Sequence, residues 1–296
     1  MNCNLIIVPS TAALGALGAV FSPATAQAQD VDKLTFSVDF GAGSGGFTNE
    51  HYSEKYSDDG FDEFGSDKAF VGSVGLSGSF DATWDWALSL SHSSFEINTF
   101  EDEDGESGDR FSANGDGGTR TQAGFTVGQK FELGSAETRV GLGLAYTNAN
   151  SSTSLSQTDG KGLNGFDAEF ESKFQGIGPR LTLDAESAPV SPNGRITIVG
   201  GADVNYLMGQ YTHTKGLNAF DSGNSFSNQE SFSEDGELLT AGAYVGIKYA
   251  VSDATAVRFG IRHDMTAMDS LFGPGDDTGT VRSGLTSAYI GMDINF

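Results

Sequence analysis

Cysteine is all but missing from this chain. Cys3 is the only one, and it precedes an apolar run instead of following it, so it does not stand where a lipid-modified cysteine would. Once the leader described below is removed, no cysteine is left, which excludes a disulfide framework, a thiolate zinc site and a cysteine nucleophile. Basic residues are scarce as well, 16 against 40 acids, for a formal charge of −24. Such a chain is a poor partner for nucleic acid, whose phosphates are met by Lys and Arg. The histidines, His51, His92, His213 and His263, show no H-x-x-x-H or comparable ligand spacing. Beyond the N-terminus no apolar run approaches the ~20 residues of a spanning helix. Mean hydropathy is −0.24, a value that does not exclude the bilayer, because a membrane barrel carries its apolar residues as every second residue. If this chain crosses a membrane, strands cross it.

The one long apolar run, Leu5 to Phe21, is followed by Ala24-Thr25-Ala26 and Ala26-Gln27-Ala28, each a small-x-small cleavage pattern. Residues 1–28 therefore read as a cleaved export signal, although Met1 to Asn4 holds no Lys or Arg. Pro9 and the Ala-rich cleavage region favour this over a retained anchor. Residues 29–296 then form a single domain, since all-β barrels of this length are often one unit.

From Leu34 onward the period is two, which predicts strands. Leu34, Phe36, Val38, Phe40 and Ala42 alternate with Thr35, Ser37, Asp39 and Gly41. The same rhythm returns around Phe70–Phe80, Trp86–Ser91, Ala123–Phe131 and Val140–Tyr146. It continues through Ile177–Ala185, Ile196–Tyr206, Leu239–Tyr249 and Val257–Ile261, and ends in Ser287–Phe296. The count is ten, with eight or twelve left open. Pro179 is the weak point, because proline cannot donate to a ladder.

Connections alternate between short turns and long polar segments such as 49–67, 100–118 and 212–236. Outer-membrane barrels have short periplasmic turns, long extracellular loops and an even strand number. The expected fold is therefore an all-β, antiparallel up-and-down transmembrane β-barrel in the outer membrane of a Gram-negative bacterium, with long loops extracellular and both termini periplasmic. The first two loops carry 14 acids and 2 bases, half of the net charge. On the strands, Lys130, Arg139, Arg180, Lys248, Arg258 and Arg262 fall on the parity opposite the apolar residues, as do Asp39, Asp184, Asp203 and Asp293. These ten residues are expected to form a charge network in the lumen, with Arg180, Asp184, Arg139 and Asp203 as one part of it, because an isolated charge there is costly. Tyr146, Tyr206, Tyr211, Tyr244, Tyr249, Trp84 and Trp86 lie toward strand ends, where amphipathic rings suit a headgroup belt.

The chain ends Tyr289-Ile290-Gly291-Met292-Asp293-Ile294-Asn295-Phe296, with Ile290, Met292, Ile294 and Phe296 on one face. An aromatic last residue in such a strand resembles the C-terminal signal read by the barrel-assembly machinery. That machinery, membrane lipid and lipopolysaccharide are the expected partners, together with small solutes or ions.

The run Lys173-Phe174-Gln175-Gly176-Ile177-Gly178-Pro179-Arg180-Leu181-Thr182-Leu183-Asp184-Ala185, followed by Gly200-Gly201-Ala202-Asp203-Val204-Asn205-Tyr206-Leu207-Met208-Gly209, resembles the Legionella major outer membrane protein family over about a quarter of the chain. The resemblance implies a pore-forming barrel, with Gly176, Gly178, Pro179, Arg180 and Asp184 as structural positions.

No catalytic constellation stands out. His263-Asp264 and His92 near outer strand ends read as interface polar residues before they read as a rim protease. The acidic run Glu101 to Glu106 fails the spacing of an EF-hand loop and reads as a solvated loop. Gly41, Gly43, Gly45 and Gly46 lack the helix and lysine of a nucleotide loop and suit a bending strand. No enzyme activity, metal or cofactor is expected. The leading expectation is porin-like passage of small solutes or ions, and the rival is a non-conducting structural or surface-interaction barrel. Strand number bears on the choice, since open channels are typical of ~16–18 strands and about eight leave an interior filled by side chains.

Overall fold

Strict apolar/polar alternation gives each segment one greasy and one polar face, and a closed sheet satisfies both while leaving no edge inside the barrel. The computed structural model describes residues 34–49, 64–95, 100–103, 110–159, 161–162, 164–221, 224–271 and 278–296. The signal-peptide assignment and most of the first acidic loop lie outside the described residues. The regular elements are β1 (Leu34–Asn49), β2 (Phe64–Ser79), β3 (Trp84–Phe95), β4 (Phe100–Glu103), β5 (Arg110–Leu133), β6 (Ala136–Thr158), β7 (Asn164–Glu186), β8 (Ile196–Asp221), β9 (Asn224–Ala250), β10 (Thr255–Leu271) and β11 (Thr278–Asn295).

Each strand pairs antiparallel with its neighbours, β1 with β11, and β3 with β5. Short β4 pairs with β5 beyond the end of β3, so the two share one position in the ring. The result is a closed ten-position barrel. At the seam the register runs from Thr35↔Asn295 to Asn49↔Val281, and the Phe296 amide donates to the Leu34 carbonyl at 2.9 Å. First and last strands thus meet at the end of the barrel that holds the short turns.

Those turns are built locally. Gly134, with φ 65°, lets β5 reverse tightly into β6. Between β2 and β3, the Asp81 carboxylate accepts hydrogen bonds from the amides of Thr83 and Trp84, both at 2.7 Å. These bonds hold its pKa below the ordinary value, because they favour the charged form. The glycine run of β1 carries a bulge against β2 between Gly43 and Gly45. Pro179 pairs with Leu144 of β6, and the β7–β8 ladder skips Gly178 and Pro179 before resuming at Arg180↔Asn205. One missing donor is thereby absorbed without a change of register.

The outer wall is the apolar face. Leu142, Ile177, Val245, Phe259 and Ile290 are all exposed there. The wall is uneven in height. Strands β5 to β9 run 23 to 27 residues, whereas β1, β2, β3, β10 and β11 run 12 to 18. This corrects the expected loop over 212–236, which is a continuous β8–β9 ladder from Thr212↔Ser233 to Asp221↔Asn224. Part of 100–118 is likewise β4 and the start of β5. Both stretches are polar on both faces, so no hydrophobic period marks them as strands.

Candidate functional site

The structure turns all ten charged residues singled out above into the barrel. There they meet Asp85, Arg120, Glu186 and Asp264, so that seven bases face seven carboxylates in ion pairs. Toward the short-turn end, Lys248 binds Glu186 at 2.7 Å, and Arg258 lies 3.0 Å from both Asp39 and Asp293. Also near the short turns, Arg139 uses its whole guanidinium fork. Its Nε donates to Asp85 at 2.7 Å, its Nη1 to Thr182 at 3.0 Å and its Nη2 to Thr126 at 2.9 Å, and Asp184 lies 3.6 Å away. Such a fixed fork is something lysine cannot supply. Lys130 adds a second contact to Asp85, at 3.8 Å.

Toward the tall end of the wall, Arg262 binds Asp264 through Nε at 2.7 Å and Nη2 at 2.8 Å, and approaches Asp203 at 3.5 Å. Arg120 reaches Asp264 at 3.4 Å and Thr266 at 2.7 Å. Strand β5 lies opposite β10 in the ring, with four strands between them on either side. This contact therefore crosses the full width of the lumen. Arg180 reaches from β7 past β6 and β5 to Ser89 of β3, at 2.8 Å.

Arg180 pairs with Asp203 at 3.9 Å, and Asp184 pairs with Arg139 and accepts a hydrogen bond from Tyr244 at 3.0 Å. Arg180 and Asp184 are thus members of one network without forming a pair. Tyr244 does not join the aromatic belt, and neither does Tyr211. Both fall on the inward parity of their strands, whereas Tyr146, Tyr206, Tyr249 and Trp84 are exposed on the outer wall. The signal that would have found Asp85, Arg120, Asp264 and Tyr244 is the same alternation that marks their neighbours.

Glycines on the inner face make room for these side chains. A Cβ on Gly124 would collide with Nη1 of Arg180, and one on Gly128 would lie 2.6 Å from Cζ of Arg139. The arginines lie flat across a wall with no side chain at those points. Next to Arg258, Ser287 and Tyr289 line a polar cavity of about 90 Å³, a size suited to ordered water.

Above the charges, toward the tall side, the interior turns apolar. Phe174, Leu207, Tyr211 and Leu238 are completely buried together with Ala145 and Ala149. The rings of Phe174 and Tyr211 lie 4.8 Å apart, and the Tyr211 hydroxyl donates to the Glu237 carbonyl at 2.8 Å. His213 follows, stacked on Tyr211 and bonded to Ser172 at 3.0 Å and Glu234 at 3.2 Å. Cavities of about 560 and 460 Å³ lie at the two ends of the barrel, with the network between them.

The geometry decides the architecture. This is a closed, side-chain-filled β-barrel.

No family model matches the chain, and no curated protein does. Among solved structures it is similar to the outer membrane protease OmpT of Escherichia coli, at 9% identity and a TM-score of 0.49, covering 90% of this chain and 97% of that one. It is also similar to the translocator domain of the autotransporter NalP of Neisseria meningitidis (14% identity, TM-score 0.38, 90% of each chain). A third is a major outer membrane protein from Thermus thermophilus (15% identity, TM-score 0.36, 89% of this chain and 99% of that one). At such identities the likeness is one of fold.

Two features bear on chemistry. Among the described residues no group of three His, Cys, Asp or Glu side chains could hold a metal ion. His263 and Asp264, adjacent in β10, point to opposite faces. His263 bonds Thr286 on the exposed outer wall at 2.8 Å, while Asp264 is buried against Arg262.

Proposed function

We propose that this chain is an outer-membrane β-barrel with a sealed lumen, whose work is done at its surface. The observation that carries the reading is the Arg120–Asp264 contact across the whole interior. The buried apolar plug above it gives a second, independent closure. Porin-like passage, and the pore implied by the resemblance to the Legionella major outer membrane protein family, both need this filling to move aside. The positions carried by that resemblance lie on the filling itself, with Gly176, Gly178, Arg180 and Asp184 turned inward.

Outer-membrane placement is supported by the apolar outer wall, by the closed seam at Phe296 and by the export leader read at residues 1–28. The orientation we propose puts the short turns and both ends of the barrel in the periplasm and the tall β5–β9 wall outside the cell. Its partners are then membrane lipid, lipopolysaccharide and molecules met at the cell surface, and the barrel-assembly machinery reads its last strand. That His263 and Asp264 point to opposite faces argues against that pair as a rim acid–base couple.

Solute flux into liposomes tests the reading. Vesicles holding the refolded protein should swell in isotonic small sugars and amino acids no faster than protein-free vesicles. Swelling that falls steadily with solute size would restore the porin.

A further inference from the structure

Strand β9 is paired on its two sides to very different heights. Its ladder with β8 runs unbroken out to Asn224↔Asp221, but its ladder with β10 stops at Leu238↔Met268. From Asn224 to Gly236, one edge of β9 faces no described strand, and nearly every residue of this stretch is exposed. At ~3.3 Å per residue this is roughly 40 Å of edge without a strand partner among the described residues.

Proteins usually blunt such an edge with lysine, proline or a bulge, because its free N–H and C=O groups template another strand. The run Asn224-Ser225-Phe226-Ser227-Asn228-Gln229-Glu230-Ser231-Phe232-Ser233-Glu234-Asp235-Gly236 has no lysine, no proline and no break in its ladder to β8. Its only charges are the carboxylates of Glu230, Glu234 and Asp235. Phe226, Glu230, Phe232 and Glu234 share one face by strand parity, with Phe226 60% and Phe232 37% exposed. Two copies joined by this edge would bring like charges together, which opposes self-pairing. A cationic strand meets the opposite situation, with main-chain bonds supplying affinity and alternate side chains supplying selectivity.

We propose that the free β9 edge is a docking site for an extended basic peptide, which adds to the wall as one more strand. Basic side chains of the peptide face Glu230 and Glu234, and its apolar ones pack on Phe226 and Phe232. The proposal deepens the surface-interaction reading above and rests on β9 standing clear of the bilayer, but it does not depend on the lumen being sealed.

The test uses the full chain, refolded in detergent, and a fluorescent peptide of about a dozen residues in which lysine and valine take turns along one face of the strand and threonine fills the other. A second peptide of the same sequence is N-methylated at every other residue, so it keeps the charge and loses the ladder. Saturable one-to-one binding of the first peptide is expected, weakened about tenfold or more by N-methylation. The variant Glu230→Lys, checked for folding by its heat-dependent gel mobility, should lose a similar factor. No binding of the plain peptide, or binding of the two peptides within about twofold, overturns the proposal, the latter marking attraction by charge alone. Conductance measured on the same preparation separates this outcome from failure of the sealed-lumen reading.

Discussion

Arg120 on β5 and Asp264 on β10 touch at 3.4 Å from opposite sides of the barrel. Asp264 also receives both bonds from Arg262, so one carboxylate joins two guanidinium groups at the centre of the lumen. Its side chain is only 4% exposed. A buried carboxylate is tolerable here because it is doubly paired, and each arginine is tolerable because the carboxylate is there.

That asymmetry sets the first expectation. Asp264→Ala leaves two cations without their main partner and should destabilise the barrel by about 3–5 kcal/mol, as loss of one side of a buried pair does. Arg120→Met should cost clearly less, since Asp264 keeps its two bonds to Arg262 and the aliphatic side chain still fills space. Urea-driven unfolding from lipid vesicles, followed by tryptophan fluorescence, gives both values. Equal losses in the two variants would show that Asp264 does not hold the centre together.

Gly124 faces Arg180 at a distance that leaves no room for a Cβ. Gly124→Val should therefore push the guanidinium off Ser89 and Asp203, with a loss of roughly 1–3 kcal/mol as in other overpacked interiors. Addition of Arg180→Ala to this variant should recover part of that loss. The same unfolding measurement on the single and double variants checks it. A Gly124→Val barrel as stable as the unmodified one would mean that the glycine is not a seat for the arginine.

Much of this was legible in the sequence because period two survives wherever one face meets lipid. Leu142, Leu144 and Tyr146 mark β6 as plainly as Arg139 marks its inner side. Illegible parts have a physical reason. Thr212–Gly236 leaves the apolar belt, has polar residues on both faces and so shows no period, although it is the upper part of the longest hairpin. Pairing between charges was also hidden: parity puts Arg180 and Asp184 on one face, but reach to neighbouring strands gives Arg180 to Ser89 and Asp203, and Asp184 to Tyr244 and to Arg139, its direct partner in the β6–β7 ladder. Asp264 escaped for a related reason, because His263-Asp264 looks like one unit in sequence whereas a strand sends the two to opposite faces.

Acid should weaken the β2–β3 turn. Asp81 holds the amides of Thr83 and Trp84, and its pKa lies below the ordinary 3.8. A carboxyl depressed in the folded state contributes stability that is fully present above its unfolded pKa and is lost as pH falls through the folded value. The stability difference between the unmodified protein and Asp81→Ala should thus be constant at neutral pH and shrink below about pH 4. Asp81→Asn, which keeps an amide-accepting oxygen, should show no such trend relative to neutral pH at this site. A pH series of unfolding midpoints decides it.

Phe296 closes the seam through Leu34, and the residue is 73% exposed. Phe296→Asp should lower the yield of membrane-inserted, heat-modifiable barrel in cells and leave unfolded chain in the periplasm. The lipid-face charge itself adds little near the membrane interface, where such costs fall to about 0–1 kcal/mol. Purified Phe296→Asp protein should consequently refold in detergent almost as well as the unmodified chain. Normal insertion in cells would remove the C-terminal strand from the role of assembly signal.

Single-channel recording in planar lipid bilayers tests the sealed lumen most directly. The unmodified protein should show no steady conductance above the bare bilayer, and the double variant Arg120→Ala, Tyr211→Ala, which removes the cross-lumen pair and opens the apolar plug, should show discrete current steps. Large, steady conductance from the unmodified protein, with the double variant changing only ion preference, would contradict the account and make this barrel a pore.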